Sequence, residues 1–222
     1  MISSDETIAL VTGASRGLGR AVAEALGQPG THVIAVARTL GGLEDAADAI
    51  AARGGASTLT PLDLGEEDAP AQMAQAIAGR WGGIDLWVHC VVEAPPLAPA
   101  AHIAPRDLAK ALAVNVQLLQ ALIAALEPLL RARPGATAIF PDDEGAHGKN
   151  FGAYGASKAA ARALILSWME ECQRLGPRVL LAPVRPMPTA VRARFFPGED
   201  RTPLSAPEAE ARQLLSLLKP PH

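Results

Sequence analysis

Tyr154 and Lys158 stand four residues apart in the stretch Tyr154-Gly155-Ala156-Ser157-Lys158. On a helix this spacing puts both side chains on one face. A nearby ammonium favours the phenolate and pulls a tyrosine below its ordinary value of about 10. Such a phenol can pass a proton near neutral pH, and Tyr154 is the chain's single tyrosine. A second constellation, Thr12-Gly13-Ala14-Ser15-Arg16-Gly17-Leu18-Gly19, lies near the other end of the chain. Glycines there allow positive backbone dihedrals and the close approach of a pyrophosphate. A helix opening at that point offers the anion unpaired N–H groups and a partial positive charge. Arg38 follows nineteen residues after Gly19, with no acidic residue at that strand end. An acid there suits the ribose 2′-hydroxyl of NAD, whereas an arginine suits the 2′-phosphate of NADP. Arg16 and Arg38 therefore point to NADP(H), the alternative being two solvated guanidiniums.

The elements that must position these groups are legible as alternating runs. Short apolar stretches at 7–12, 32–37, 57–62, 84–89, 136–140 and 178–182 predict strands. Runs that are apolar at nearly every residue imply burial on both faces, as in a parallel sheet covered by helices. Helix-length segments lie between and after them at 17–28, 42–53, 66–81, 105–131, 152–175 and 207–218. This alternation predicts an open, doubly wound α/β fold of three layers, with ligands at the C-terminal edge of the strands. Proline clusters after predicted strands, at Pro95-Pro96 and through 183–188, mark loops of that edge. The 183–207 segment is a substrate-side loop. Its 195–207 part, with Phe195 and Phe196, is either a lid or a surface loop anchored by two aromatics.

Composition bounds the rest. A chain of 222 residues fits one domain, 1–222, and with 49% hydrophobic but only 4% aromatic residues its core must be built from alanine, leucine and valine. That excludes intrinsic disorder. A net charge of −3 leaves no basic footprint for nucleic acid. No apolar run approaches the ~18 residues of a membrane span, the longest, 121–126, stopping at Glu127-Pro128. Residues 1–6 lack the basic and apolar regions of a signal peptide. Cys90 and Cys172 are too few for a disulfide framework or a tetrahedral metal site. The expectation is a soluble cytoplasmic protein without metal, membrane or nucleic-acid partner.

Together these motifs resemble the short-chain dehydrogenase/reductase family over nearly the whole chain. The ordered set is Thr12 to Gly19, Asp63 after the third strand, Asn115 in the helix after the fourth, then Tyr154 and Lys158. The resemblance implies a Rossmann-type parallel sheet in the order 3-2-1-4-5-6, the family's seventh strand being absent. It implies that Tyr154 exchanges a proton with a substrate oxygen while Lys158 lowers its pKa and holds the nicotinamide ribose. Asn115 would bend its helix and keep a water in a proton relay, or else be a buried, backbone-bonded asparagine. Asp63 would contact adenine, or else cap the following helix. The remaining cofactor contacts implied are Gly13, Ser15, Arg16, Gly17, Leu18, Gly19, Arg38, Thr39, Leu64 and Thr189. The small faces of the helices at 107–131 and 152–175 suit a homodimer, or packing within one chain.

Three departures from the family pattern stand out. The usual Asn-Asn-Ala-Gly after the fourth strand reads His89-Cys90-Val91-Val92, which we take as strand-end packing with Val92 adding bulk beside the cofactor. The Pro-Gly element after the sixth strand is replaced by Pro183-Val184-Arg185-Pro186-Met187-Pro188-Thr189. The catalytic serine before the tyrosine is missing: Phe140-Pro141-Asp142-Asp143-Glu144-Gly145 holds none, and Pro141 or Asp142 takes its place by counting. An ionised carboxylate cannot donate the serine's hydrogen bond and opposes Lys158 by repelling phenolate. Asp142 is then a catalytic residue only if protonated, and otherwise part of a solvated acidic loop. The expected function is NADP(H)-dependent hydride transfer on a small carbonyl or alcohol substrate of apolar character. The alternative is an impaired dinucleotide-binding protein serving as a sensor or partner module.

Overall fold

A computed structural model describes residues 6–218, so the N-terminal stretch at 1–5 and Pro220-Pro221 lie outside the described residues. Among the described residues, six strands form one sheet in the order β3-β2-β1-β4-β5-β6. They are β1 (Thr7–Thr12), β2 (Thr31–Ala37), β3 (Ala56–Pro61), β4 (Leu86–His89), β5 (Thr137–Asp142) and β6 (Arg178–Pro183). Every pairing is parallel, as the two-faced burial of the strand runs predicts.

The helices are α1 (Gly17–Leu26), α2 (Leu40–Ala52), α3 (Ala69–Trp81), α4 (Pro105–Leu112), α5 (Leu118–Arg131), α6 (Gly152–Cys172), α7 (Ala190–Phe195) and α8 (Pro207–Ser216). Strand alternation sorts the core into two layers. Ile8, Leu10, Ile34 and Val36 face α3, α5 and α6, where Trp87 and Phe140 pack edge to face at 5.1 Å with Trp168 beside them. Ala9, Val11, Val33 and Ala35 face α1, α2 and α8. With few aromatics, the second layer is filled by alanine and valine.

Three details depart from the expected boundaries. The segment 105–131 is one continuous helical run, but it widens at Ala113–Gln117, where the Leu118 N–H reaches back five residues to the Ala113 carbonyl. This run of 27 residues, with a mean hydropathy of 1.6 over its most apolar 18-residue window, is long and apolar enough to cross a membrane by length and composition. A search for unbroken apolar runs missed it because polar residues are interspersed. Leu118, Leu119, Leu122, Ile123, Leu126, Leu129 and Leu130 are buried against the sheet, however, and the helix serves the core. Strand β5 runs two residues past the expected end, because Pro141 pairs with Ala182 and Asp142 with Pro183. The 183–207 segment holds a helix, α7, that no sequence signal announced.

Candidate active site

The β1–α1 turn works because two of its glycines sit at positive φ, Gly13 at 85° and Gly17 at 56°. A Cβ on Gly13 would lie 2.7 Å from the Cys90 carbonyl carbon, and one on Gly19 would lie 2.2 Å from the Gly13 oxygen. The turn is therefore closed against the end of β4, and Thr189 fits over Gly17 from the other side. A cavity of about 880 Å³ begins here. Gly13, Ser15, Arg16, Gly17, Leu18, Gly19, Arg38, Thr39, Asp63, Leu64, Asn115, Tyr154, Lys158 and Thr189 all line it. Arg16 and Arg38 are exposed, and among the described residues neither side chain makes a hydrogen bond or ion pair. Arg20, by contrast, is committed to Glu24 at 2.7 Å and Asp45 at 3.0 Å. The glycine turn, a helix N-terminus and, among the described residues, two unpaired guanidiniums fit the phosphates of a dinucleotide. Asp63 is not a helix cap: its carboxylate accepts the Gly65 N–H at 3.0 Å, and Asp68 precedes α3.

Asn115 occupies the widened turn between α4 and α5, and its side chain is fully used. It accepts the Glu93 N–H at 2.8 Å and donates to the Glu93 carbonyl and to the Ser157 hydroxyl, each at 2.9 Å. Ser157, completely buried, donates in turn to the Tyr154 carbonyl at 2.8 Å. Asn115 thus ties the strand-end loop to the first turn of α6. Ser157 was quoted in the motif but not singled out, because a serine inside a helix carries no signal of its own.

The expectation for Asp142 is overturned. Because β5 extends through it, alternation places Asp142 on the same face as Phe140, toward α6, where it ion-pairs with Arg162. It does not line the main cavity. Asp143 does instead: the Tyr154 hydroxyl donates to its Oδ2 at 3.2 Å, while its Oδ1 accepts the Gly145 N–H at 3.1 Å. The loop can lie this close because Gly155 has no side chain, a Cβ there falling 2.5 Å from the Ala146 carbonyl oxygen.

The expected lowering of the phenol is also overturned. Burial first, then the charge and hydrogen bond of Asp143, push Tyr154 well above its ordinary value. Lys158 is lowered by burial, with Asp143 pulling the other way. Burial likewise takes His89 down to about 3, where it is neutral and bonded through Nδ1 to the Thr12 hydroxyl at 2.9 Å. Burial pushes the Cys90 thiol up to about 12, so it is no nucleophile. Both residues pack the strand end as expected. No cluster of three or more metal-ligating side chains occurs among the described residues.

The 183–207 segment covers this centre. Thr189 caps α7 by accepting the Arg192 N–H at 3.3 Å, and Phe195 stacks 4.9 Å from Tyr154 and 5.2 Å from Phe151. Buried Glu210 of α8 holds the base of the segment, accepting from the Arg185 backbone at 3.0 Å and from Ser205 at 2.6 Å. At the tip, Arg192 donates to Glu199 at 2.6 Å and Arg194 to the Ala94 carbonyl at 2.5 Å. Phe195 was expected in a lid or as the anchor of a surface loop, whereas Phe151 escaped sequence reasoning because core and site aromatics look alike in sequence.

Comparison with known proteins now bears on this arrangement. The short chain dehydrogenase family model matches residues 7–199. The chain belongs to this family. An uncharacterised oxidoreductase of Mycobacterium tuberculosis is 30% identical over 213 residues, which is 92% of this short chain dehydrogenase and 81% of the relative. A short chain dehydrogenase structure from Pseudomonas syringae superposes with a TM-score of 0.87 at 28% identity, covering 96% of this chain and 89% of that one. Another, from Escherichia coli CFT073, is described as complexed with NADPH; its TM-score is 0.86 at 29% identity, covering 97% and 92% of the two chains. In this short chain dehydrogenase a carboxylate, Asp143, meets the tyrosine.

Proposed function

We propose that the chain is an NADP(H)-dependent oxidoreductase working in the reducing direction, with Tyr154 and Lys158 as its working residues and Asn115 positioning the first turn of α6. The observation that carries the reading is the pair of unengaged guanidiniums, Arg16 and Arg38, at the phosphate end of the cavity that ends at Tyr154. NADP(H) in that cavity would supply or accept hydride at a substrate carbon. Gly13, Gly17 and Gly19 close the turn so that the N-terminus of α1 faces the diphosphate, and Arg16 and Arg38 recognise the 2′-phosphate. Lys158, Thr189, Asp63 and Leu64 line the remainder of the same cavity. Val92, Phe151, Phe195 and Phe196 give the substrate end an apolar wall.

The preference for reduction follows from the phenol. Oxidising an alcohol needs phenolate as base, and burial with Asp143 opposes phenolate. Reduction uses the protonated form, which the site favours. The second reading, a dinucleotide-binding protein with little turnover, draws support from Phe195 lying over Tyr154.

Calorimetric titration with NADPH and NADH at fixed salt tests the cofactor. A charge-assisted contact to phosphate contributes about 1.5–3 kcal/mol. Arg38→Ala and Arg16→Ala should therefore each weaken NADPH by roughly 10- to 100-fold and leave NADH nearly unchanged. Equal affinity for the two cofactors in the unaltered chain would refute the reading. Consumption of NADPH with a carbonyl or imine panel then separates an enzyme from a binding module.

A further inference from the structure

Asp143 meets the Tyr154 hydroxyl at the substrate end of the cavity and presents an acceptor there, not a donor. Its Oδ2 accepts a hydrogen bond from the Tyr154 hydroxyl, and its Oδ1 accepts the Gly145 N–H in an Asx turn. A carboxylate has about four lone-pair sites, so acceptor capacity remains on the cavity side. Lys158 and Arg192 act on it electrostatically, yet among the described residues neither comes within ion-pair distance. The substrate end of the cavity thus presents an acceptor and a negative charge, ringed by Phe151, Phe195 and Phe196.

Hydride addition to a ketone builds negative charge on oxygen, and a carboxylate beside it repels that charge. Hydride addition to a protonated imine does the opposite. Its N–H donates to the carboxylate, and its positive charge disappears as hydride arrives. We propose that Asp143 selects cationic C=N substrates, so that this short chain dehydrogenase reduces iminium ions with an apolar body in preference to ketones. The inference rests on the NADP(H) reading above. In the step, a C–H bond forms at the iminium carbon, the C=N π pair becomes the nitrogen lone pair, and NADPH is oxidised by two electrons to NADP⁺. The nitrogen keeps its proton, leaving a neutral amine that takes a further proton from water. Asp143 acts by binding the cation and keeping the imine protonated at neutral pH. Its effect therefore belongs in kcat/KM.

The test compares dihydroisoquinoline with tetralone, an imine and a ketone of similar shape, under NADPH. The unaltered chain should favour the imine by at least 100-fold in kcat/KM. Asp143→Asn should remove most of that preference, and Asp143→Ser should shift it toward the ketone. Binding supplies a readout independent of turnover. With NADP⁺ present, calorimetry should show the cationic product tetrahydroisoquinoline binding at least tenfold more tightly than neutral tetralol, with the margin lost in Asp143→Asn. Equal or better use of tetralone overturns the inference, as does amine affinity that Asp143→Asn leaves within twofold. Failure of NADPH to bind at all would instead overturn the cofactor reading, and this inference with it, before any substrate is added.

Discussion

Tyr154 keeps its proton in this site because two effects point the same way: a phenolate would be buried, and it would face the Asp143 carboxylate. Lys158, the residue expected to oppose them, is itself lowered by burial. Replacing Tyr154 with phenylalanine should cost 10²- to 10⁴-fold in ketone reduction, roughly the size of a positioned proton donor's contribution, while leaving NADPH affinity intact. Turnover that survives this change, followed by NADPH absorbance, would remove Tyr154 from the chemistry. In the reverse direction the active form is the deprotonated one, whose share rises tenfold per pH unit below the phenol's pKa. Because that pKa is raised, alcohol oxidation with NADP⁺ should still climb past pH ~10, where an ordinary tyrosine would level off. A plateau below that point in the pH–rate profile would contradict the burial argument. At this scale the gathering of Tyr154, Lys158, Asn115 and both arginines in one cavity was legible, since identity and spacing single them out. Asp143 was not. Counting back from Tyr154 favoured its neighbour, and only the strand's actual end decides which of two adjacent aspartates turns toward the tyrosine.

Elements decide the rest of the site. Central strands buried on both faces read as unbroken apolar runs, so the sheet and its alternation with helices were visible without coordinates. Strand β5 was read short because Pro141 and Asp142 are poor strand formers, and only pairing with β6 makes them part of it. Helix α7 was invisible because six residues with two arginines give no periodic pattern; it exists through its Thr189 cap and buried Phe195. The glycine turn offers a sharp test. Gly19→Ala puts a methyl into the Gly13 carbonyl, whereas Gly41→Ala in α2 meets nothing within 4 Å. The first change should cost about 1–3 kcal/mol and weaken NADPH at least tenfold. The second should be neutral or slightly stabilising. Thermal melts and NADPH titration of both variants check this, and equal behaviour would show that the turn has slack. The end of β4 makes a pH prediction. His89 has a folded pKa of about 3, below the unfolded value of about 6.5, so the unfolded chain takes up the proton first. Its stabilising contribution is complete above pH ~6.5 and is lost as pH falls toward 3, on the order of 5 kcal/mol in all. Urea midpoints should therefore drop between pH 7 and 4.5, and His89→Asn should flatten that drop; an unchanged slope would mean that His89 is not the titrating group.

At the scale of the whole molecule, the question is what covers the outer face of the two long helices. The sheet ends at β6 with no seventh strand among the described residues, so that face is the one suited to a two-fold partner. Ala113, Gln117, Gln120 and Ala124 lie exposed at three- and four-residue spacing along the 105–131 run. Ala159, Ala163 and Leu166 do the same on α6, with Leu166 37% exposed. Small side chains let two copies approach closely, and an isologous contact uses each stripe twice, so a standard interface of about 800 Å² per partner is within reach of two helices. The expected state is a homodimer by sedimentation at micromolar concentration. Ala124→Glu with Leu166→Glu places like charges across the two-fold axis on exposed positions, and should give a monomer whose thermal midpoint at high dilution matches that of the unaltered chain. A monomeric unaltered chain would mean that the stripes are solvated and that each copy works alone. The same sample separates assembly from catalysis. These stripes lie outside the cavity, so the double variant should bind NADPH as tightly as the dimer. A loss of NADPH affinity on dissociation would instead make the interface part of the site's support, transmitted through the Asn115 link between the 105–131 run and α6.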